Sequence, residues 1–218
     1  MNINGMEVFQ QLTISPKVSF DIFRSKLINN LPDGWNHDLN REGSLRDDVL
    51  SNEDVIVLHR KSIDYVDESL LILWQNESVY SITNIIPCNI GELGVSNYNI
   101  ILDDFVEKVI IPLEKQDILS FTKTTKFKGI DDWFDTSTAV ALKLFSRTAN
   151  KTTGIAHPLD RSRWIDFIIK AHKSNSVITS DELLYWLTKV EDWPFDEANE
   201  LVINYEFSWD LLSEYDKR

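Results

Sequence analysis

The chain has 218 residues and a formal net charge of −13 at pH 7, with 43% hydrophobic and 11% aromatic residues. This composition is typical of a folded globular protein and excludes an intrinsically disordered chain. The negative charge opposes binding to nucleic acids, because affinity for polyanions rests on lysine and arginine side chains that neutralise phosphates. No apolar run approaches the roughly 20 residues that a membrane-spanning helix needs, so we predict that the protein does not enter a membrane.

The first twelve residues and the cysteine content bear on localisation. The segment from Met1 to Leu12 lacks the basic region and the apolar core of a secretory signal. Cys88 is the single cysteine, so an internal disulfide is excluded, as is usual for proteins of a reducing compartment. These features predict a cytoplasmic protein, and we take a bacterial one as part of the leading functional hypothesis below.

The first half of the chain shows alternating strand and helix patterns. Period-2 alternation indicates strands, and recurrence of apolar residues every three to four positions indicates helices. In chain order, the patterns predict a strand at 6–14, a helix at 19–30, strands at 55–60, 70–75 and 79–86, a helix at 98–113 and an edge strand at 117–125. The short separation between the strands at 70–75 and 79–86 suits a hairpin. An antiparallel sheet with helices on one face is the simplest assembly of these elements.

The second half contains only helical patterns. Helices are predicted at 136–150, 158–173, 180–190 and 195–215, and the third begins with a Thr179–Glu182 capping box. The fourth carries a stripe that we assign to the core, formed by Ala198, Leu201, Val202, Tyr205, Trp209 and Leu212. The predicted fold class is therefore α+β, with a mainly antiparallel sheet and helices in the N-terminal half and about four helices in the C-terminal half. A boundary after residue 125 gives a sheet domain at 1–125 and a helical domain at 126–218, with one continuous domain as the alternative.

A basic segment interrupts this acidic chain. Residues 136–180 contain two acidic and seven basic residues, whereas residues 181–218 contain eleven acidic and three basic residues. The basic segment centres on a loop between two predicted helices, which we call the basic loop (residues 147–163). Its candidate anion-binding residues are Arg147, Lys151, Thr152, Thr153, His157, Arg161 and Arg163.

Two hypotheses explain the basic loop. Hydroxyls, a glycine and the start of the following helix are suited to binding a phosphate or a carboxylate. However, the segment Asn150–Gly154 lacks the residue order of a phosphate-binding P-loop. The structural alternative is that the cations pair with acidic groups of their own chain. On the helix at 158–173, Arg161 falls within a broad apolar arc that includes Ile165 and Ile169, and an inward guanidinium usually finds an internal acceptor.

Other patterns for catalysis or metal binding are weak. Asp131 and Asp135 stand one helical turn apart, but acidic residues are common in the first turn of a helix. Cys88 follows a predicted strand, and His59 or His157 would have to come close to it to make it a nucleophile; we expect a buried, inert thiol instead. No motif for a cofactor or a zinc site occurs, so we expect neither a cofactor nor a metal.

Acidic residues and one tryptophan mark a candidate partner-binding patch. Trp193 is flanked by polar residues, and we expect it to be partly exposed, as tryptophan often is at protein contacts. The proposed patch consists of Asp192, Trp193, Asp196, Glu197 and Glu200.

The leading functional hypothesis is a non-catalytic interaction module that binds a basic protein. Its most concrete form is an acidic inhibitor of the toxin-immunity or antitoxin type. The alternative is an enzyme or sensor that binds a small phosphorylated or carboxylated ligand at the basic loop 147–163.

Overall fold

The computed structural model describes residues 5–48, 54–62 and 66–218. It confirms the predicted mixed α+β class, with an antiparallel sheet in the N-terminal half and helices in the C-terminal half. The chain forms two compact units. Val8–Lys126 forms the first, here called the sheet unit. The helical unit consists of the chain up to Glu7 together with Phe127–Arg218.

The strands form one large sheet and one two-stranded ribbon. Their bounds are β1 (Met6–Glu7), β2 (Leu12–Pro16), β3 (Trp35–His37), β4 (Val55–Arg60), β5 (Ser69–Asn76), β6 (Val79–Pro87), β7 (Leu119–Lys123) and β8 (Phe127–Lys128). The large sheet has the order β3-β4-β5-β6-β2-β7, and every paired neighbour is antiparallel. β5 and β6 form the predicted hairpin, and β7 is the predicted edge strand. The strand expected at 6–14 is instead two strands, because β1 leaves the sheet and pairs with β8 in the helical unit.

Helices cover both faces of the sheet, so the expectation of one covered face is wrong. The sheet unit contains α1 (Phe20–Asn29), α2 (Leu39–Asp48) and α3 (Gly94–Phe105), which continues through a π-helical turn (Val106–Ile110) into α4 (Ile111–Lys115). Ile56 and Leu58 of β4 belong to the main core with α1 and α3. Val55 and Val57 point to the opposite face, where Leu45 of α2 packs against them. A strand that is apolar on both faces requires this double cover.

The helical unit contains five helices. They are α5 (Ile130–Trp133), α6 (Thr136–Thr148), α7 (Pro158–Lys173), α8 (Ser180–Tyr185) with a π-helical extension (Trp186–Val190), and α9 (Phe195–Asp216). The four longer segments are those expected from the sequence, and the Thr179–Glu182 capping box is present. Their shared core is strongly aromatic, with Phe145, Trp164, Phe167 and Tyr205 buried. No helix in the described ranges is long and apolar enough to cross a membrane.

Asp135 caps the N-terminus of α6. Its carboxylate accepts hydrogen bonds from the Thr138 hydroxyl (2.6 Å) and from the Ser137 backbone N–H (2.8 Å). These bonds, led by the one from Thr138, hold the pKa of Asp135 well below its ordinary value of 3.8. The structure therefore favours the ionised carboxylate.

The cap predicts an acid-dependent loss of stability. A carboxyl group whose pKa is lower in the folded than in the unfolded state stabilises the fold at pH values above its unfolded-state pKa. This stabilisation is lost as the pH falls from the unfolded-state pKa through the folded-state pKa. An Asp135→Ser variant keeps a capping oxygen but does not titrate. We expect the stability difference between the natural protein and this variant to shrink as the pH falls below about 4, as measured by urea unfolding at a series of pH values. A difference that does not change with pH would contradict this assignment.

Candidate functional site

The cations of the basic loop 147–163 are largely engaged within the helical unit. The Lys151 ammonium donates a hydrogen bond to the backbone carbonyl of Glu191. Arg163 pairs with Asp160 at 2.8 Å. Arg147 is exposed and makes no ion pair with any described residue. Lys151 and Arg163 thus have acceptors in their own chain.

The remaining candidate residues of the loop shape its local turn. The Thr152 hydroxyl and backbone N–H both donate to the Asn150 side-chain oxygen (2.8 and 3.0 Å), and the Thr153 backbone N–H donates to the Asn150 carbonyl. The Nδ1 atom of His157 accepts a hydrogen bond from a backbone N–H and so caps α7. Arg161 does not point into the core as expected. It is exposed, because its Nε donates to the Ile155 carbonyl in the preceding loop at 3.2 Å.

A depression of about 420 Å³ beside this loop contains a carboxylate. Asp160, Arg163 and His157 are among the residues that line it. Asp160 is buried and accepts a hydrogen bond from the Asn150 backbone N–H at 3.4 Å, in addition to its pair with Arg163. An anion in this depression would face that negative charge, which disfavours binding. The geometry supports internal pairing as the role of the basic loop.

The acidic patch proposed from the sequence keeps its acids but not its tryptophan. Asp192, Asp196 and Glu200 are exposed and Glu197 is half-buried. Trp193 is only 3% exposed, so the expectation of partial exposure is wrong.

The chain reversal after α8 explains the burial of Trp193. Asp192 adopts a left-handed conformation (φ 54°), and this turn carries the following indole into the core. There the ring stacks on Phe145 with 5.4 Å between centroids, and its N–H donates to the Ser146 hydroxyl at 2.8 Å. Trp193 is a core residue.

α9 carries a second apolar stripe that the sequence analysis missed. Ala198, Leu201, Val202 and Tyr205 form the buried stripe as expected. On another side of the helix lie Ile203, Phe207, Leu211 and Tyr215, which are 57%, 67%, 58% and 75% exposed. Their spacing of four residues aligns them along the helix, with a rotation of about 40° from one to the next. We call these four residues the exposed stripe.

Acidic residues accompany the exposed stripe. The helix Phe195–Asp216 has no basic residue and contains the acidic residues Asp196, Glu197, Glu200, Glu206, Asp210, Glu214 and Asp216. Glu200, Glu206, Asp210 and Glu214 are exposed, and all four lie on the stripe or within about 60° of it when the helix is rotated at about 100° per residue. The surface is therefore both apolar and negatively charged.

The sheet unit contains a larger cleft of about 940 Å³. Segments of β2, β6 and the start of α3 line it, and its lining includes Phe9, Ile82, Leu93 and Tyr98. Glu92 is the charged residue among the described lining residues. A cleft with this lining suits an apolar group and does not suit an anion.

The two carboxylates considered as a metal site in the sequence are engaged elsewhere, whereas three other potential metal ligands lie close together. Asp131 pairs with Lys143 at 2.7 Å, whereas Asp135 caps α6, so these two carboxylates do not form a cation site. By contrast, His59, Glu68 and Cys88 bring one ligand atom each to within 4.8 Å of one another. Sequence spacing does not reveal this group, because His59 lies on β4 whereas Glu68 precedes β5 and Cys88 follows β6, and only the strand register brings the three residues together.

Comparison of the chain with protein-family models, curated proteins and solved structures finds no match. The surface chemistry of the described residues is therefore the basis for a functional assignment. α9 is the strongest candidate, because it combines exposed apolar area with charge of a single sign.

Proposed function

We propose that this protein is a non-catalytic interaction module that binds a basic amphipathic helix of a partner protein along α9. The exposed stripe of Ile203, Phe207, Leu211 and Tyr215 is the observation that carries the proposal. Apolar residues aligned along an exposed helix mark a contact surface, since isolated surface hydrophobics do not form such a row.

The geometry of the stripe sets the form of the partner. Twelve residues separate Ile203 from Tyr215, which corresponds to about 18 Å of helix length. A partner helix with apolar residues at positions i, i+4 and i+7 covers a row of this length. Lysine and arginine on the flanks of the partner helix would meet the acidic residues of α9, and this charge complementarity adds specificity and association rate.

A second copy of this chain fits the surface less well. Pairing α9 with another α9 would bring two helices together that each carry seven acidic residues and no basic ones. Like charges across an interface are unfavourable. The charge of α9 thus selects a basic partner over self-association.

In its most specific form, the proposal is a cytoplasmic inhibitor of the toxin-immunity or antitoxin type. Such an inhibitor acts by occluding a basic surface of its target, and it needs no reacting groups of its own. The exposed apolar stripe and the acidic residues of α9 support this role. The interaction should be sensitive to salt, because screening weakens attraction between exposed charges.

Two model peptides test the chemistry of the surface. One has about 18 residues, with leucines on one helical face and lysines on the other. The second is identical but carries glutamate in place of lysine. We expect the lysine peptide to bind the full chain with an affinity that falls as sodium chloride increases, and the glutamate peptide not to bind, as measured by fluorescence anisotropy. Equal binding of both peptides would contradict the charge argument.

Matched variants test the location of the binding site. Phe207→Ser combined with Leu211→Ser should lower the affinity for the lysine peptide by at least about tenfold, since central apolar contacts dominate interface energies. The control is Val140→Ser with Leu144→Ser, which alters an equally exposed apolar pair one turn apart on α6 and should leave the affinity unchanged. Equal losses in both variants, or a dimer that dissociates on Phe207→Ser, would overturn the proposal.

A further inference from the structure

Three potential metal ligands lie at one end of three neighbouring strands in the sheet unit. His59 is on β4, Glu68 immediately precedes β5 and Cys88 immediately follows β6. Their ligand atoms lie within 4.8 Å of one another, and the His59 Nε2 atom is 2.6 Å from the Glu68 carboxylate.

The strand register explains why the three side chains meet. His59 is paired with Leu70, and Glu68 lies two residues before Leu70, so it shares the same face of the sheet. The Cys88 backbone N–H donates to the Glu68 carbonyl at 2.8 Å, which continues the β5–β6 ladder by one pair. The group is therefore fixed by backbone hydrogen bonds and does not depend on a mobile loop.

Cys88 packs against apolar residues, and all three side chains are partly accessible to solvent. Cys88 packs against the small core of Val55, Val57, Leu70 and Ile72 on this face, and it is half-buried, not fully buried as expected from the sequence. The His59 and Glu68 side chains are partly exposed. A cation can thus reach the three ligands without opening the main core.

We propose that His59, Glu68 and Cys88 bind a zinc ion, with water as the fourth ligand. A thiol, an imidazole and a carboxylate form a donor set that zinc accepts and that the harder ions magnesium and calcium do not. Zinc–ligand distances of about 2.0–2.3 Å place tetrahedral donors about 3.3–3.7 Å apart. The His59–Glu68 contact of 2.6 Å reaches this geometry when it opens by about 1 Å, and all three ligand atoms already lie within 4.8 Å of one another.

The surroundings of Cys88 do not resemble those of a cysteine nucleophile. Burial, followed by the negative charge of Glu68, raises the pKa of the Cys88 thiol, whereas a nucleophile needs the opposite shift because the thiolate is the reactive form.

Cobalt and zinc titrations of the full, chelator-treated and reduced chain test the site. We expect one equivalent of cobalt(II) to bind and to produce a thiolate-to-metal charge-transfer absorption, which zinc then removes by displacement. Cys88→Ser should abolish the absorption and weaken zinc binding by about 100-fold, and Glu68→Gln should weaken it by about tenfold. The control His157→Asn alters a histidine of the helical unit but retains a capping side chain, and it should bind zinc as the natural protein does.

The single cysteine provides a test that needs no variant. A thiol reagent reports on Cys88 alone, because the chain has no other cysteine. We expect one equivalent of zinc to slow modification of Cys88 by at least about tenfold, since a coordinated thiolate is no longer free to react. An unchanged rate with zinc, or cobalt binding without charge transfer, would overturn the proposal.

Discussion

Trp164→Ala is expected to lower the free energy of unfolding of the helical unit by about 3–5 kcal/mol, the usual loss for truncating a fully buried aromatic side chain. Trp164 is fully buried and stands between two aromatic neighbours, with ring centroids 4.9 Å from Phe145 and 5.2 Å from Phe167. Its indole N–H donates to the Asn204 side-chain oxygen at 2.8 Å. The substitution therefore creates a cavity and leaves a polar group without its donor.

Two comparison variants separate these contributions. Trp164→Phe keeps an aromatic ring and should lose less stability than Trp164→Ala. Trp133→Ala truncates the same residue type at a partly buried position and should cost clearly less. Denaturant unfolding followed by circular dichroism measures all three. A loss for Trp164→Ala no greater than that for Trp133→Ala would contradict the central place of Trp164 in this core.

Helices and strands with a regular apolar pattern could be predicted from sequence, because their buried side chains recur with the period of the helix or the strand. α6, α7 and α9 begin where their apolar patterns begin, and β4, β5 and β6 follow apolar runs. α2 was missed because it contains Gly43 and is mostly polar. Among its residues with described burial, the buried one is the charged residue Glu42.

Surface properties were harder to predict than elements. Ile165 and Ile169 of α7, assigned to an apolar arc, are exposed, because a helix at the surface buries only part of an arc that wide. The same effect produces the exposed stripe of α9. Its spacing is visible in the sequence, but periodicity does not say which of two apolar faces meets the core. Trp193 shows the converse, since the polar neighbours that suggested exposure belong to a turn that buries the ring.

The partners of the charged side chains could not be predicted from sequence, because they are set by the tertiary structure. The basic loop and the acidic segments were recognised from composition, but only the fold shows that Lys151 reaches the Glu191 carbonyl and that Arg163 pairs with Asp160. Lys151 and Arg163 are therefore engaged within the helical unit. On α9, Glu214 pairs with Lys217 and Asp216 with His172, whereas Glu200 and Asp210 form no ion pair with any described residue. This difference moves the functional assignment from the basic loop to α9.

A buried charge network joins α1, α2 and β4 in the sheet unit. The Glu42 side chain is only 4% exposed. Its carboxylate pairs with Arg24 and with Nε2 of His37, the latter at 2.6 Å, and it accepts a hydrogen bond from the Val57 backbone N–H at 3.3 Å. Arg24 also pairs with Asp54 at 3.1 Å.

Tyr80 completes this network from β6. Its hydroxyl donates to the Asp54 carboxylate at 2.7 Å. Burial, together with this hydrogen bond, raises the pKa of Tyr80, so the phenol remains a donor throughout the neutral range. Asp54 and Glu42 thus hold Arg24 between two carboxylates, and both also pair with Arg46. Loss of either carboxylate leaves two guanidinium groups with one carboxylate.

Glu42→Ala is therefore expected to destabilise the sheet unit by about 3–5 kcal/mol, because removing one member of a buried ion pair strands the other. Arg24 would keep Asp54 and the Val55 carbonyl, His37 would lose its carboxylate partner, and the Val57 N–H would lose its acceptor. The control is Asp117→Asn, which removes an exposed ion pair with Lys17, keeps a residue type that tolerates the left-handed backbone at this position (φ 59°) and should cost less than about 1 kcal/mol. Urea unfolding at neutral pH measures both variants. Equal small losses would show that Glu42 is solvated once its partners are free to move, whereas the expected gap shows that charge holds α2 to the sheet in addition to the apolar contact of Leu45.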